Sequence, residues 1–193
     1  MLTPPLKPSI MSFYDILVNK RSKCHLGYRG DKYTMKSIFF YQTGLGEIGI
    51  IESGNAITNL FLQRKHIPRD AVVFETEILK EAGRQLQDYL AGKLKDFTLP
   101  LAPAGTEFML RVWESLRAIP YGETRSYQEI AQSVGNKKAS RAVGLANKHN
   151  PIPIFIPCHR VIGTNGKLIG YGGGLEIKAY LLGLEKLSAT PSP

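Results

Sequence analysis

The stretch "LPLAPAGT", residues 99–106, divides the chain into two parts with different sequence patterns. It contains two prolines and a glycine and has no helical or strand periodicity, so it predicts a linker over residues 99–105. Clusters of β-branched and aromatic residues precede it, whereas amphipathic helical patterns follow it. We therefore expect an α/β protein with two domains, residues 36–98 and residues 106–188.

The first domain is predicted to be a small β-sheet covered by a helix. In "KSIFFYQTGLGEIGIIESGNAITNLFLQ", β-branched and aromatic residues cluster between Gly and Asn turns, which predicts two or three short strands in a meander. A helix is predicted in "ETEILKEAGRQLQDYLAGKL", where apolar residues recur at helical spacing: Ile78, Ala82, Leu86 and Leu90. Residues 1–35 are basic, contain several prolines and show little periodicity, so we expect an N-terminal extension.

The second domain is predicted to be mostly helical, with a winged-helix-like helix-turn-helix. "TEFMLRVWESLRAI" has an amphipathic helical pattern. Ser126 and Glu129 match a capping box, so a short helix should begin at Tyr127. "VGN" ends this helix, and a second one is expected over residues 137–148. Helix hairpins are common, so the turn alone does not distinguish a DNA-binding motif.

Small side chains and one long cation characterise the second helix of this pair. Arg141 projects from a smooth stretch of small residues, a pattern that suits close approach to a groove: Ala139, Ser140, Ala142, Gly144 and Ala146. The chain carries a net charge of +9, and seven basic residues against Glu129 alone lie between Arg125 and Lys167. An anionic partner is therefore favoured.

Neither a membrane segment nor a secretory leader is expected. No stretch approaches the roughly 18 consecutive apolar residues of a spanning helix, and the first residues lack an apolar core and a cleavage site. The two cysteines, Cys24 and Cys158, are far apart and in dissimilar surroundings. We therefore expect free thiols in a reducing compartment.

The segment "NPIPIFIPCHR" places Cys158 after an apolar run with three prolines. Because prolines lack the N–H of a helix interior or central strand, an extended, buried segment with an abrupt end is expected. A lone cysteine is most often a small buried hydrophobe. Here, however, His159 and Arg160 follow at once, and nearby positive charge stabilises the nucleophilic thiolate. Cys158 is therefore predicted to be an exposed nucleophile.

The histidine that follows is a candidate proton acceptor. In a regular strand Cys158 and His159 would point to opposite faces, so either the corner bends them together or a water relays the proton. Glu185 on the last helix is a candidate to orient the histidine. Thiol proteases and acyltransferases also use Cys–His pairs, but none of their local signatures is present.

Neither a metal nor a cofactor is expected. The cysteines and histidines never fall into CxxC or HxxxH spacing. The glycine-rich "GTNGKLIGYGGGLEIK" lets a backbone approach a ligand closely, yet it matches neither a phosphate-cradling loop nor a strand–GxGxxG–helix unit.

Four segments together resemble the O6-alkylguanine-DNA alkyltransferase family, whose signature is Pro-Cys-His-Arg-Val: "FMLRVWESLRAIPYGETRSYQEIA", "SRAVGLANKHN", "PIPIFIPCHRVIG" and "GYGGGLEIKAYLLGLE". The resemblance covers residues 100–187, whereas residues 36–97 are only generically similar to the family's variable N-terminal domain. It implies a protein that flips O6-alkylated guanine out of double-stranded DNA and moves the alkyl group irreversibly to its own cysteine.

The resemblance also implies catalytic roles. Cys158 is the alkyl acceptor, and His159, through a water, and Glu185 match the proton relay that keeps the thiol ionised. Asn150 matches an asparagine that supports the active-site turn. Tyr127 matches a tyrosine that donates a proton or hydrogen bond to the guanine ring, offsetting the charge left when the alkyl group departs.

In this family the helix-turn-helix lies in the minor groove, and Arg141 matches the arginine that replaces the flipped nucleotide in the base stack. A narrow groove admits a slim helix, which accounts for the small side chains. The other predicted DNA contacts are Arg125, Ser126, Lys138, Ala139, Ala142 and Gly144. The guanine pocket is predicted to be formed by the backbone of Cys158 and Val161, together with Tyr171, Gly172 and Gly173. Some relatives have serine at position 172, so the contact to O6 must here come from backbone N–H.

Two other functions compete with alkyl transfer. Some relatives recognise alkylguanine without a reactive cysteine, and such proteins usually carry tryptophan at position 158, so Cys158 favours transfer. Others join this domain to a transcriptional regulator, but no additional DNA-binding domain or four-cysteine zinc module is found in the sequence. We expect a monomer in the cytoplasm, associated with the nucleoid, or in the nucleus of a eukaryote.

Overall fold

A four-stranded sheet forms the N-terminal part of the computed structural model, which describes residues 35–62 and 68–189. The strands lie in the order β3-β2-β1-β4: β1 (Lys36–Thr43), β2 (Gly46–Ser53), β3 (Ala56–Phe61) and β4 (Ala71–Val73). The first three are antiparallel neighbours, as the predicted meander requires. The short β4 pairs in parallel with β1 and was not predicted, because three residues carry no periodic signal.

Helix α1 (Glu77–Leu90) covers this sheet as predicted. Thr76 begins it by accepting a hydrogen bond from the backbone of Leu79, so an unpaired N–H of the first turn gains a partner. The buried face is rotated slightly from the predicted stripe. Tyr89 and Leu79 are fully buried, whereas Ile78 and Leu90 are half-buried.

The predicted linker lies against the sheet and does not run free of it. Leu101 pairs with Ile57 of β3, and the Ile57 backbone bonds to Pro100 and Ala102 at 2.8 Å each. The described residues belong to one compact unit. The division into domains at residues 99–105 therefore stays a prediction.

The C-terminal part is mostly helical. Its elements are α2 (Glu107–Arg117), β5 (Arg125–Ser126), α3 (Tyr127–Ser133), α4 (Ser140–Lys148), β6 (Val161–Ile162) and α5 (Leu175–Ala189). The buried indole of Trp113 on α2 donates to the Ala146 carbonyl of α4 at 3.0 Å. The two short strands pair in parallel and link the start of α3 to the cysteine segment. Within the described residues no helix has the length and apolarity to cross a bilayer.

The predicted helix pair is present with one corrected boundary. The capping box of Ser126 and Glu129 is confirmed, and α3 begins at Tyr127. The second helix begins at Ser140 and not at Lys137. Asn136 explains the delay, because its side chain and carbonyl accept hydrogen bonds from the next residues and hold them in a turn.

Candidate active site

Cys158 begins a 3-10 turn, Cys158–Arg160. The prolines had suggested an extended segment before it, but this prediction is wrong. The segment folds into a tight turn in which the Ile156 N–H donates to the Ile152 carbonyl at 2.9 Å. Ile154 adopts a left-handed backbone with φ of 74°, and its side chain is buried. The prolines thus remove N–H groups that this turn does not need.

Two neighbours hold this turn in place. The Asn150 side chain donates to the Ile156 carbonyl at 2.8 Å and accepts from the Ile152 N–H at 3.0 Å. From the other side, the Leu60 N–H of β3 donates to the Pro151 carbonyl at 2.8 Å. The position of the cysteine therefore depends on both parts of the fold.

The Cys158 thiol is buried and protonated. Only 5% of the residue is exposed, so the prediction of an exposed thiol is wrong. Burial raises its pKa to about 11, although the Asn150 amide and the Lys178 ammonium act in the opposite direction. A base must therefore remove the proton before the sulfur can attack.

Arg160 is bonded elsewhere and does not lower the pKa of the Cys158 thiol. Its guanidinium donates to both Glu185 oxygens at 2.9–3.1 Å and to the Ile119 carbonyl at 2.6 Å. The sequence interpretation, in which the adjacent Arg160 favours the thiolate, is therefore wrong. The cation that lowers the pKa of Cys158 is Lys178, twenty residues along the chain.

A buried hydrogen-bond cluster surrounds the Glu185 carboxylate on α5. Glu185 and His159 are both fully buried. The carboxylate accepts hydrogen bonds from the Tyr89 hydroxyl at 2.6 Å, His159 Nε2 at 2.9 Å, the Arg160 guanidinium and the Gly122 backbone N–H at 3.0 Å. Because Nε2 faces a carboxylate, we assign the proton of neutral His159 to Nε2.

The charges in this cluster follow from those contacts. Burial alone would raise the pKa of Glu185, but hydrogen bonds from His159 and Arg160 outweigh it and lower the pKa to about 2. Burial lowers the pKa of His159 despite the adjacent carboxylate, and Arg160 and Lys178 add to this effect. His159 is therefore neutral, and its Nδ1 has no hydrogen-bond partner among the described residues. Nδ1 can accept a proton.

A cavity of about 670 Å³ opens over the thiol. Its lining comes from α4, the glycine-rich loop and the start of α3, and includes Cys158, Tyr127, Arg141, Gly144, Tyr171 and Gly172. Val161 and Gly173, two other predicted pocket residues, are not part of this lining. The Val161 side chain is fully buried, so the prediction for its backbone stays a prediction, and Gly173 packs against Leu62, where a Cβ would approach to 2.5 Å.

Lys178 fixes the loop that forms one wall of this cavity. The residue is fully buried on α5, and its ammonium donates to the carbonyls of Val161 at 2.6 Å and Ile169 at 2.8 Å. The Tyr127 hydroxyl also donates to the Ile169 carbonyl, at 2.9 Å. Burial raises the pKa of Tyr127, and so does the neighbouring Cys158, so the phenol keeps its proton.

Two side chains of the wall have buried polar atoms without a hydrogen bond of ordinary geometry to any described residue: the Tyr171 hydroxyl and both amide atoms of Asn147. The Asn147 amide lies close enough to Tyr127 to oppose the rise in its phenol pKa. Buried polar groups normally have partners, so unpaired ones in a cavity indicate a site for a polar ligand.

The outer face of the helix pair carries part of the predicted DNA contacts. Arg141 is exposed at the cavity, Gly144 also lines the cavity, and Ala142 and Lys138 are exposed. These four residues are available to a partner that covers the cavity.

Three other predicted DNA contacts are engaged within the protein. Ala139 is buried at the start of α4. The Ser126 hydroxyl accepts the Glu129 N–H in the capping box, and Arg125 pairs with Glu123 at 2.8 Å. The small residue at the start of α4 therefore serves packing within the protein.

The described residues contain no group of three or more side chains that could hold a metal ion. Cys24 and the N-terminal extension lie outside the described residues.

Sequence reasoning missed Tyr89, Lys178 and Asn147. Lys178 could have been found, because it shares a helix face with Leu181 and Glu185 at spacings of three and seven residues, where a lysine is unexpected. Tyr89 has only the pattern of a core residue in α1. Its role depends on an approach to Glu185 that no local pattern encodes.

Comparison with known proteins identifies the family. Residues 107–187 match the DNA binding domain, and residues 38–103 the ribonuclease-like domain, of 6-O-methylguanine DNA methyltransferase. The chain is 57% identical over 135 residues to a methylated-DNA–protein-cysteine methyltransferase of Methanosarcina acetivorans, covering 69% of this chain and 86% of that protein. It is 51% identical over 154 residues to the constitutive enzyme of that name from Bacillus subtilis, covering 76% and 93%.

A solved structure agrees with these matches. The crystal structure of Mycobacterium tuberculosis OGT in complex with DNA superposes with a TM-score of 0.75 at 45% identity, covering 79% of this chain and 94% of that chain. The resemblance seen in the sequence is thereby confirmed, and so is the fold class. The chain belongs to the 6-O-methylguanine DNA methyltransferase family.

Proposed function

We propose that this protein repairs double-stranded DNA by transferring an alkyl group from O6 of guanine to Cys158, once per molecule and irreversibly. The observation that carries the proposal is the position of the thiol, at the base of a 670 Å³ cavity with a neutral histidine–carboxylate pair behind it. The names of the relatives support the same activity.

The first step is removal of the thiol proton. His159 Nδ1 receives it, directly or through a water, and the imidazolium that forms is stabilised by the ionised Glu185 at 2.9 Å. The thiolate therefore forms by transfer of this proton to His159. At rest the proton stays on sulfur, because the pKa of Cys158 is about 11.

In the second step the thiolate attacks the alkyl carbon in line with the C–O6 bond. An S–C bond forms, the C–O bond breaks, and its electron pair moves to the guanine oxygen and ring. The protonated Tyr127 donates to the ring as this charge develops, which requires release of its hydrogen bond to the Ile169 carbonyl. The proton that His159 took from the thiol passes back through Tyr127 or water to the guanine ring, so the net change exchanges the thiol proton for the alkyl group and leaves ordinary guanine in the DNA.

The helix pair α3 and α4 holds the DNA by its minor groove. Arg141 enters the base stack in place of the flipped nucleotide, beside the cavity that it lines. Ala142 and Gly144 allow close approach, and Lys138 contributes charge near the phosphates. Gly172 contributes its backbone N–H to the pocket. Arg125, Ser126 and Ala139 support this surface from within the protein.

The protein acts as a monomer in the compartment that holds the DNA, either the cytoplasm with its nucleoid or a nucleus. No second copy is required, since the described residues supply the nucleophile, the base and the cavity from one chain.

The test is the intact mass of the protein after incubation with a duplex that contains one O6-methylguanine. We expect a gain equal to the exchange of one hydrogen for one methyl group, mapped to the peptide that contains Cys158. Cys158→Ala should bind the duplex and gain no mass, while the matched control Cys24→Ala should gain it. Retention of the damaged duplex without any mass change would instead assign the protein to damage recognition.

A further inference from the structure

Tyr89 is the contribution of the N-terminal part of the fold to the buried cluster. Its hydroxyl donates to Glu185 Oε1 at 2.6 Å and lies 3.2 Å from His159 Nε2. The other members, Gly122, His159, Arg160 and Glu185, all belong to the C-terminal part. The ring is fully buried and packs against Phe97 and Tyr121 at centroid distances of 5.0 and 6.0 Å.

We propose that Tyr89 is a positioning residue that sets the basicity of His159 through Glu185, and that the N-terminal part thereby tunes the proton acceptor of the active site. The proposal rests on the proposed function, in which His159 removes the thiol proton. Its basis is competition at one atom, because Tyr89 and His159 both donate to Oε1 of Glu185.

Tyr89 is a permanent donor in this competition. Burial and the adjacent Glu185 charge raise the pKa of the phenol, so it keeps its proton over the pH range in which His159 titrates. Its hydrogen bond withdraws charge from Oε1 and leaves less to stabilise an imidazolium at Nε2. Loss of the hydroxyl should therefore make His159 more basic.

Replacing Tyr89 by phenylalanine removes none of the other charged or titratable groups around His159. Titratable and charged groups approach it from the 3-10 turn, the glycine-rich loop and α5: Arg160, Tyr171, Lys178 and Glu185. Tyr121 lies behind Tyr89, with Lys95 and Arg160 near its ring. A shift seen on replacing Tyr89 alone can thus be attributed to its hydroxyl.

The molecule provides a matched control. The Tyr121 hydroxyl is buried and has no partner among the described residues, and its ring contacts that of Tyr89. Tyr121→Phe therefore removes a hydroxyl from the same aromatic cluster without touching Glu185. Tyr89→Phe removes the hydroxyl that donates to Glu185.

The experiment measures the single-turnover transfer rate from an O6-methylguanine duplex as a function of pH. Transfer requires neutral His159, so the rate falls at low pH as the imidazole is protonated. In Tyr89→Phe the half-maximal rate should move upward by about one pH unit, the effect of losing a hydrogen bond to a charged group. Tyr121→Phe should keep the wild-type midpoint. An unchanged midpoint in Tyr89→Phe, or equal shifts in both variants, would overturn the proposal.

Two further measurements keep the result interpretable. Replacement of Tyr89 by 3-fluorotyrosine preserves the ring and strengthens the donor, so the midpoint should move downward; an upward or absent shift contradicts the proposal. The imidazole of His159 can also be titrated by NMR without DNA, and its midpoint should rise in Tyr89→Phe. If wild-type protein transferred no methyl group, the proposed function would fail, whereas the NMR titration would still decide the role of Tyr89.

Discussion

The Glu185 cluster and the wall of the cavity differ in how their polar groups are satisfied. In the cluster both carboxylate oxygens accept hydrogen bonds, and Tyr89 and Arg160 are bonded to them. In the wall the Tyr171 hydroxyl has no partner among the described residues, and the Asn147 amide lies near Tyr127 but makes no hydrogen bond of ordinary geometry. The charged groups of the cluster thus have hydrogen-bond partners within the protein, whereas polar groups that face the cavity lack them.

This difference has an energetic meaning. An unpaired buried polar group costs about 1–3 kcal/mol, so the unpaired groups of the cavity wall lower the free energy of unfolding. A flipped base that supplies partners would recover part of that cost. Tyr89, Arg160 and the Glu185 carboxylate offer no such gain, because they already have partners, and in the cluster only His159 Nδ1 has none among the described residues.

The largest expected effect comes from breaking the cluster. Glu185→Gln keeps the shape of the side chain but leaves the buried Arg160 without its counter-charge, so the free energy of unfolding should fall by about 3–5 kcal/mol. Urea unfolding at pH 7 measures it. The control is Glu176→Gln in the exposed first turn of the same helix, which should stay within about 0.5 kcal/mol of wild type.

The stabilities of wild type and Glu185→Gln as a function of pH test whether the loss comes from the charge of Glu185. The pKa of Glu185 is about 2 in the folded protein against an ordinary 4.5, so its contribution to stability is complete above 4.5 and is lost as the pH falls towards 2. The stability gap between wild type and Glu185→Gln should therefore narrow over that range. A constant gap would mean that the glutamine is destabilising for reasons of packing.

A second prediction concerns the thiol, which belongs to the wall. Because its pKa is about 11, Cys158 should react slowly with iodoacetamide at pH 7, and the rate should rise about tenfold per pH unit below the pKa. Mass spectrometry of a Cys24→Ala background measures the rate, and Cys24→Ala/Cys158→Ala supplies the blank. Fast labelling that is already constant near pH 7 would support the resting thiolate that the family resemblance implied.

A third prediction separates the role of Arg141 in base flipping from the transfer reaction itself. Arg141→Ala should slow transfer from duplex DNA at least about tenfold more than transfer from a free O6-alkylguanine, because only the duplex requires a base to leave the stack. Arg111→Ala, which removes an exposed arginine from α2, is the control. Equal losses on the two substrates would contradict the role of Arg141.

The smallest effect on stability is expected at the Tyr171 hydroxyl in the cavity wall, which has no hydrogen-bond partner among the described residues. Tyr171→Phe removes a group that has no partner to lose, so the free energy of unfolding should change by less than about 1 kcal/mol. Tyr89→Phe, which deletes a hydroxyl bonded to a carboxylate, should be more destabilising in the same urea experiment. A larger loss in Tyr171→Phe would remove the distinction between the two regions.

Local patterns predicted most of the fold. The meander, α1 and the capping box of Ser126 follow from turn residues, periodicity and hydrogen-bonding capacity, all of which act within a few residues. The turn before Cys158 was mispredicted as extended, because Asn150 and the backbone of β3 determine its shape. Such contacts join distant parts of the chain and leave no local signature.

The site was predicted only as far as its motif extends. Cys158 and His159 were found from their sequence context and Glu185 was named as a candidate partner, the family pattern supplied their roles, and the structure brings His159 and Glu185 into contact. The motif gave no information on burial, so the thiol was predicted to be exposed and ionised. Tyr89 was missed because its role arises where two helices approach in space, whereas the helix-face position of Lys178 was a signal that went unused.

The left-handed backbone of Ile154 has a consequence for how reactivity depends on folding. A β-branched residue at φ of 74° costs of order 1–3 kcal/mol, so the surrounding protein imposes this conformation and a detached peptide would abandon it. On unfolding, Cys158 should revert to an ordinary cysteine that is more acidic than the folded one. Labelling of this thiol at neutral pH would then report denaturation, with modification marking molecules that have lost their native structure.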